Sequence, residues 1–292
     1  MMINICEVGP RDGLQNEKKI VTTEQKVELI TRLIESGIKK FEAVSFVNPK
    51  IVPQMGDAEE VLKYVPKKDG ISYAGLVLSN SGLERALKTP VDTLHVVTAT
   101  SDTFNQKNSK RTVDQSVQEL TNVIEEGIKS RRKVIGVLGT AFGCPFVGNI
   151  PPSRIINIAE SFVKAGAKGI TLADTTGLAN PNQVKELVSK FKEYFGDDIE
   201  IGLHFHNTRG LGLANVLSGY LSGVRNFDSS IAGLGGCPFA PKAVGNVCTE
   251  DMVNMFEQMS VNTNTNLKKL IETANWLQDI IGKELDGMLM KL

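Results

Sequence analysis

Two histidines stand two residues apart in the segment GLHFHN at residues 202–207, in a chain that contains only three histidines. In a β-strand, side chains at positions i and i+2 lie on the same face, so His204 and His206 are expected to project together. Paired imidazoles suit one metal ion, although polar core histidines held by hydrogen bonds would give the same pattern. The segment alone therefore leaves a metal site and a polar core as alternatives.

Carboxylates and an arginine lie inside or directly after other apolar segments. Glu42 lies within KFEAVSF (40–46), where a buried carboxylate is costly unless it is paired, and Arg11 in GPRDG is a suitable partner. Asp174, within ITLADTTG, is equally unusual. Asp12 beside Arg11 is also explained by a surface turn with a local ion pair. These acids indicate either a structural charge network or an active site with shifted pKa values.

A cysteine and a basic cluster carry weaker signals. Cys237 lies in GLGGCPFAP, where glycines permit a loop over a site and a thiol could donate or accept a proton. A small buried thiol in an ordinary loop is the alternative. Lys107, Lys110 and Arg111 lie together in KNSKR, which indicates either a solvated helix start or a site for the phosphates of a large anionic substrate.

Short segments rich in Val, Ile, Phe and Thr recur along the chain, as buried parallel strands do. Eight are predicted to be strands: 3–9, 40–46, 71–78, 93–100, 133–142, 168–174, 199–206 and 226–233. Amphipathic segments that predict helices separate them, and four have clear start signals: Thr22 or Thr23, Pro151-Pro152, Asn180-Pro181, and Asn207 or Thr208. Two further helices are predicted after about residue 249.

This alternation favours the α/β class, with a closed (β/α)8 TIM barrel and additional C-terminal helices in a single domain over residues 1–292. A doubly wound sheet is the alternative, but no GxGxxG follows the first strand and no P-loop is found. In a TIM barrel, functional side chains collect at the carboxyl ends of the strands. Strands one and seven would both adjoin strand eight. Asp12 would then lie near the two histidines, which favours a metal site.

Bulk composition excludes several classes of partner. The chain has 292 residues, 41% of them hydrophobic and 23% charged, and its formal net charge is zero, which does not favour nucleic acid or an anionic membrane. None of the four cysteines forms a CxxC pair. The N-terminal segment lacks the features of a signal peptide, and no apolar segment is long enough to span a bilayer. We therefore predict a cytoplasmic protein with reduced thiols.

Four motifs together resemble those of the 3-hydroxy-3-methylglutaryl-CoA lyase family, over nearly the whole chain. They are EVGPRDGLQNE (7–17), FEAVSFVNPK (41–50), GLHFHNTRGLGLAN (202–215), and GLGGCPFAP with its later Gly-Asn pair (233–246). The first motif and the cysteine loop are specific to the lyases, whereas HxH is shared with related condensing enzymes. The chain departs from the family's pattern at Lys242-Ala243-Val244, where small residues are usual.

The resemblance implies cleavage of 3-hydroxy-3-methylglutaryl-CoA to acetyl-CoA and acetoacetate, with Mg²⁺ or Mn²⁺ as cofactor. It implies four metal ligands: Asp12, His204, His206 and Asn246. It implies four catalytic residues: Arg11, Glu42, Asp174 and Cys237. It implies five substrate contacts: Arg11, Gln15, Ser45, Asn108 and Thr171. In these roles Arg11 would stabilise the enolate oxygen and Cys237 would return a proton, while the group that removes the hydroxyl proton stays open.

Two alternatives belong to other classes. A condensing enzyme that joins an acyl-CoA to a 2-oxo acid would share the barrel, the metal and the HxH pair, but many of these carry a further regulatory domain. A non-catalytic barrel would be expected to lack Arg11, a metal ligand or the cysteine. The resemblance also implies an acyl-CoA substrate and a homodimer, with contacts through the C-terminal helices.

Overall fold

Eight parallel strands form a closed barrel in chain order, with β8 beside β1, in the computed structural model, which describes residues 2–236 and 244–292. The strands are β1 Asn4–Glu7, β2 Lys40–Ser45, β3 Ser72–Val77, β4 Thr93–Ala99, β5 Lys133–Gly139, β6 Gly169–Asp174, β7 Glu200–Phe205 and β8 Asn226–Ser229. Each predicted segment contains one of these strands. The TIM barrel is thus confirmed, and the doubly wound sheet is wrong.

Helices alternate with the strands around the outside of the barrel. They are α1 Thr23–Glu35, α2 Ala58–Tyr64, α3 Asn80–Leu87, α4 Asp102–Ser109, α5 Val113–Lys129, α6 Pro152–Lys164, α7 Pro181–Phe195, α8 Gly212–Leu221, α9 Thr249–Gln258 and α10 Leu267–Ile281. Thr22 and Asn180 cap α1 and α7 through reciprocal bonds with a glutamine three residues on, as their types predict. None of the helices in the described ranges is long and apolar enough to cross a membrane.

The predicted start of α8 at Asn207 or Thr208 is wrong, because the helix begins at Gly212. A turn lies between β7 and α8, and the side-chain oxygen of Asn207 accepts a hydrogen bond from the backbone N–H of Gly212 at 3.0 Å. Asn207 therefore satisfies a donor at the helix start from five residues upstream. Its side chain provides the capping chemistry that its type predicts, but from outside the helix.

The two C-terminal helices complete the wall of the barrel, as predicted. α9 packs over β8, where the rings of Phe227 and Phe256 lie 5.9 Å apart. α10 packs against α1, where the guanidinium of Arg32 lies 4.8 Å from the centre of the Trp276 ring. These contacts place α9 and α10 beside the seam where the first and last strands meet.

A buried glutamate links the first strand to the segments that follow the last strand. Glu7, at the end of β1, accepts hydrogen bonds from the backbone N–H of Gly9 and of Ile231, each at 2.8 Å, and from the hydroxyl of Thr249 at 2.6 Å. Burial raises the pKa of Glu7 to about 8. The carboxyl group thereby fixes the π-helical turn Gly9–Gly13 against the loop that follows β8.

Candidate metal centre and active site

Three possible metal ligands meet at the carboxyl end of the barrel: Asp12, His204 and His206. One ligand atom from each lies within 4.8 Å of the others. His204 on β7 and His206 directly after it project on the side opposite to the buried Phe205, and their ring centres are 5.2 Å apart. Asp12 reaches the same place from the turn Gly9–Gly13, which directly follows β1. Because β1 and β7 both pair with β8, the closed barrel brings these side chains together.

Asn246 completes a set that we call the ligand cluster: Asp12, His204, His206 and Asn246. The side-chain N–H₂ of Asn246 donates to Oδ2 of Asp12 at 2.7 Å and to the carbonyl of Leu234 at 3.0 Å. Its Oδ1 atom is buried and accepts no hydrogen bond from any described residue. Gly235 lies so close to this amide that a Cβ atom there would collide with it. The backbone therefore presents Asn246 with one oxygen free for a ligand.

The chemistry of these donors fits a divalent cation. Nδ1 of His206 is also buried and has no hydrogen-bond partner within the described ranges. Burial lowers the pKa of His206 to about 4, so its imidazole is neutral and keeps a lone pair. Buried polar atoms without partners are rare in folded proteins. A carboxylate, two imidazoles and an amide oxygen would satisfy the preferences of Mn²⁺ or Mg²⁺ and leave positions open.

Asp228 on β8 orients one of the ligands, and sequence reasoning missed it. Its Oδ2 atom lies 3.2 Å from Nδ1 of His204, and the two residues are register partners in neighbouring strands. A proton on Nδ1 would be held by Asp228, which leaves Nε2 to face a metal ion. The signal was available, because Asp228 is an acid within the apolar segment NFDSSIAG.

We expect Asp228→Asn to weaken the binding of Mn²⁺ by a factor of about 10 to 100, because His204 loses the anion that orients its ring. Calorimetric titration of the metal-free protein with Mn²⁺ would measure this. Asp92→Asn is the matched control, since Asp92 accepts hydrogen bonds from Ser72 and Tyr73, near the opposite end of the barrel. Equal affinities for Mn²⁺ in the wild type and in Asp228→Asn would contradict the orienting role.

Metal affinity should also fall as the pH is lowered. Burial opposes it, but the hydrogen bond and the charge of Asp228 raise the pKa of His204 above its ordinary value. His204 therefore keeps its second proton to a higher pH than a free histidine, and that proton competes with the ion. Mn²⁺ titrations at several pH values should show affinity rising with pH. An affinity that does not change with pH would show that no such competition occurs.

Arg11 is a fixed cation beside the ligand cluster. Its Nε and Nη2 atoms donate to Oε1 and Oε2 of Glu42 at 2.8 and 2.7 Å, and its Nη1 atom donates to Asp12 at 2.7 Å. Despite burial, the charge of Arg11 and the nearby His95 hold the pKa of Glu42 well below its usual range. The predicted pairing of Arg11 with Glu42 is therefore present, and Gln15 lies 3.5 Å from the same guanidinium.

Asp174 has a different setting from the one that its candidate catalytic role suggests. It pairs in register with Phe205, whereas the preceding residue Ala173 pairs with His204, so Asp174 faces away from the barrel interior. Its two oxygens accept from the backbone N–H groups of Leu178 and Ala179 at 2.7 and 3.0 Å. Burial raises the pKa of Asp174 to about 6. This geometry gives Asp174 a part in shaping the loop after β6, and its role in proton transfer stays a prediction.

The remaining predicted site residues do not all lie at the carboxyl end of the barrel, and they differ in burial. Ser45 is fully buried at the end of β2, and its hydroxyl has no hydrogen-bond partner in the part of the chain that is described. Thr171 lies inside the barrel, two register pairs below the level of His204. Asn108 is exposed on α4. Cys237 lies outside the described residues, as do Lys242 and Ala243.

A groove with charged walls lies beside the carboxyl end of the barrel, and the sequence analysis did not predict it. It has a volume of about 710 Å³, and Gly235 and Gly236 form part of its wall. Three lysines and three acidic residues line it: Lys18, Lys19, Lys283, Glu17, Glu284 and Asp286. Lys283 also pairs with Glu17 at 2.8 Å. The signal in the sequence was the pair of lysines directly after the first motif, and the groove could hold a phosphate-bearing group.

The fold and these side chains define a TIM-barrel enzyme with a candidate divalent-cation centre next to a buried arginine. More narrowly, the chain belongs to the HMGL-like family, whose model matches residues 2–277.

Relatives with known names agree with this assignment. The chain is 40% identical over 283 residues to the hydroxymethylglutaryl-CoA lyase of Bacillus subtilis (strain 168). The match covers 97% of this chain and 94% of that protein. It is 38% identical over 304 residues to the (R)-citramalyl-CoA lyase of Chloroflexus aurantiacus, over 99% of this chain and 94% of that one. A solved HMG-CoA lyase from Acinetobacter baumannii, in complex with coenzyme A and 3-methylmalate, superposes with a TM-score of 0.94 at 42% identity, over 99% and 94% of the two chains.

Proposed function

We propose that this protein is a hydroxymethylglutaryl-CoA lyase that cleaves 3-hydroxy-3-methylglutaryl-CoA to acetyl-CoA and acetoacetate. The observation that carries the proposal is the contact of Arg11 with Asp12 at 2.7 Å, which sets a buried cation directly beside the ligand cluster. Identity of 40% with a named lyase over 97% of the chain supports the same reaction.

The ligand cluster would hold Mg²⁺ or Mn²⁺ through its carboxylate, imidazole and amide donors. When bound, the ion would polarise the hydroxyl and a carbonyl or carboxylate oxygen of the substrate. The partnerless Oδ1 of Asn246 and Nδ1 of His206 support this assignment, because each would otherwise remain buried without an interaction.

The residues of the chain account for the movement of charge in the reaction. A base takes the proton of the hydroxyl group at C3, the bond between C2 and C3 breaks, and its electron pair moves to the thioester carbonyl. Acetoacetate leaves, and the enolate of acetyl-CoA remains. Arg11, held in place by Glu42, is the cation that would stabilise the enolate oxygen. Cys237 is our candidate for the acid that protonates C2, which completes acetyl-CoA.

An acyl-CoA substrate would lie across the mouth with its phosphates on basic side chains. The lysines at the groove (Lys18, Lys19 and Lys283) and the cluster around Lys107 are the basic groups that could receive them. The A. baumannii relative, solved with coenzyme A, supports a ligand of this class. A cytoplasmic location and a homodimer stay predictions from the sequence.

The named relatives do not favour the condensing reaction, because the B. subtilis and C. aurantiacus proteins are both called lyases. The C. aurantiacus protein is almost as similar to this chain as the B. subtilis protein, and it carries the name of a different acyl group, citramalyl. Citramalyl-CoA is therefore the informative second substrate.

The test is release of acetoacetate from 3-hydroxy-3-methylglutaryl-CoA by chelator-treated protein, before and after addition of Mg²⁺ or Mn²⁺. We expect no turnover without the ion and rapid turnover with it. Citramalyl-CoA is assayed in parallel and is expected to be the poorer substrate. If the folded protein cleaves only citramalyl-CoA, the substrate is citramalyl-CoA and not 3-hydroxy-3-methylglutaryl-CoA. Folded protein that cleaves neither substrate would refute the proposal.

A further inference from the structure

His95 is the only histidine of the chain outside the ligand cluster, and β4 places it inside the barrel. Its register partners are Leu76 of β3 and Ile135 of β5, neither of which has a polar side chain. Its Nδ1 atom lies 3.4 Å from Oε2 of Glu42. The imidazole therefore has a charged partner in Glu42, and that carboxylate is the one that holds Arg11.

Glu42 is contacted on two sides. Arg11 meets both of its oxygens, and the Nη2 atom of Arg11 approaches Oε1 to 2.6 Å. The carboxylate is 3% exposed, so water does little to fix its orientation. A donor on the far side would stop the carboxylate from rotating, and a fixed carboxylate holds the plane of a guanidinium that binds it with two hydrogen bonds.

A small cavity reaches His95 from the amino-terminal end of the barrel. Its volume is about 90 Å³, and Cys6, Thr171 and Asp228 also line it. This space is large enough for water. With Nδ1 directed at Glu42, the Nε2 atom of His95 can be hydrated there, so the imidazole can keep its proton on Nδ1 without leaving a polar atom unsatisfied.

We propose that His95 is a positioning residue that donates from Nδ1 to Glu42 and thereby fixes the orientation of Arg11. This proposal rests on the proposed role of Arg11 in the lyase reaction. His95 contacts no reacting atom in it and acts only through Glu42.

Two variants distinguish the effect of the hydrogen-bond donor of His95 from the effect of its side-chain volume. His95→Asn places an amide N–H near the position of Nδ1, whereas His95→Leu fills similar space without a donor. We expect His95→Leu to lower kcat by about tenfold, as loss of a buried hydrogen bond to a charge does, with little change in KM or in Mn²⁺ affinity. His95→Asn should recover most of kcat. Wild-type turnover in His95→Leu would overturn the proposal, and so would an equal loss in both variants.

Further variants test whether the effect passes through Glu42. In a Glu42→Gln background, His95→Leu should cause no further loss of kcat, whereas independent, additive losses would overturn the proposal. Thr93→Val is the matched control, because Thr93 lies on the same strand and lines the same cavity, but its hydroxyl donates to Asp92. Its turnover should stay at the wild-type level.

A spectroscopic measurement separates failure of this proposal from failure of the proposed function. With ¹⁵N-labelled histidine the protein should give only three imidazole spin systems, and His95→Asn identifies that of His95. We expect the proton of His95 on Nδ1, with a shift that changes in Glu42→Gln. A proton on Nε2 alone would overturn the proposal. The spectrum needs no turnover, so it decides the contact even if 3-hydroxy-3-methylglutaryl-CoA is not cleaved, or if His95→Leu does not fold.

Discussion

Replacing Arg11 by glutamine should lower kcat by a factor of about 1,000, the effect expected when the main charge that stabilises an enolate oxygen is removed. The residue is suited to this role because Glu42 and Asp12 hold its guanidinium from two directions. Those anions raise the pKa of Arg11 above its ordinary value although burial opposes them, so the cation persists throughout the working pH range. Glutamine keeps a donor of similar length but carries no charge.

The measurement is steady-state turnover of 3-hydroxy-3-methylglutaryl-CoA together with a Mn²⁺ titration, because the variant should still bind the ion. Arg85→Gln is the matched control. Arg85 makes an equivalent two-point pair with Glu59, at 2.7 and 2.9 Å, between α3 and α2 on the outside of the barrel. Its loss should leave turnover unchanged. Undiminished turnover in Arg11→Gln would remove Arg11 from the mechanism.

Replacing His206 by alanine should lower the affinity for Mn²⁺ by a factor of about 100 or more and abolish metal-dependent turnover. His206 provides a neutral imidazole whose Nδ1 atom has no hydrogen-bond partner in the described ranges. Alanine would remove a donor from the ligand cluster without disturbing any side-chain hydrogen bond of the described residues. The loss should therefore appear in metal binding more strongly than in the free energy of unfolding.

Calorimetry on chelator-treated protein gives the affinity, and thermal unfolding without metal reports the fold. His95→Asn provides the comparison, since it changes a histidine inside the same barrel but outside the ligand cluster. That variant should titrate with Mn²⁺ as the wild type does. A wild-type titration curve for His206→Ala would place the metal site away from β7.

The architecture was predictable because its signals are local. Each strand is a short apolar segment, the helices between them are amphipathic, and four have clear start signals, so period and composition reveal the order of elements. The same local rule placed His204 and His206 on one face of β7. Asn246 was different: nothing in its surroundings indicates a ligand, and only the resemblance to the lyases named it.

Some details depend on geometry beyond the single strand. Asp174 follows Ala173 by one residue, and that step turns its carboxylate away from the face that carries His204, while its catalytic role stays a prediction. Asp228 and the lysines of the groove each had a local signal, but their partners lie on other elements of the chain, so the sequence alone did not show what they contact. The start of α8 moved to Gly212 because Asn207 can satisfy that helix from outside.

The ligand cluster joins residues that are far apart in the chain. Asp12 and Asn246, which share a hydrogen bond, are 234 positions apart. Glu7 and Thr249, just beside them, are 242 positions apart. We expect contacts between residues so distant in sequence to form late in folding, because a long loop must close before they are made.

A chain emerging from the ribosome therefore presents His204 and His206 long before Asn246 exists to join them. An ion that needs all four donors would bind tightly only after β8 has closed against β1. Tight metal binding would then indicate that the barrel has closed. Because the ion would bind only the closed barrel, its binding free energy would stabilise that state.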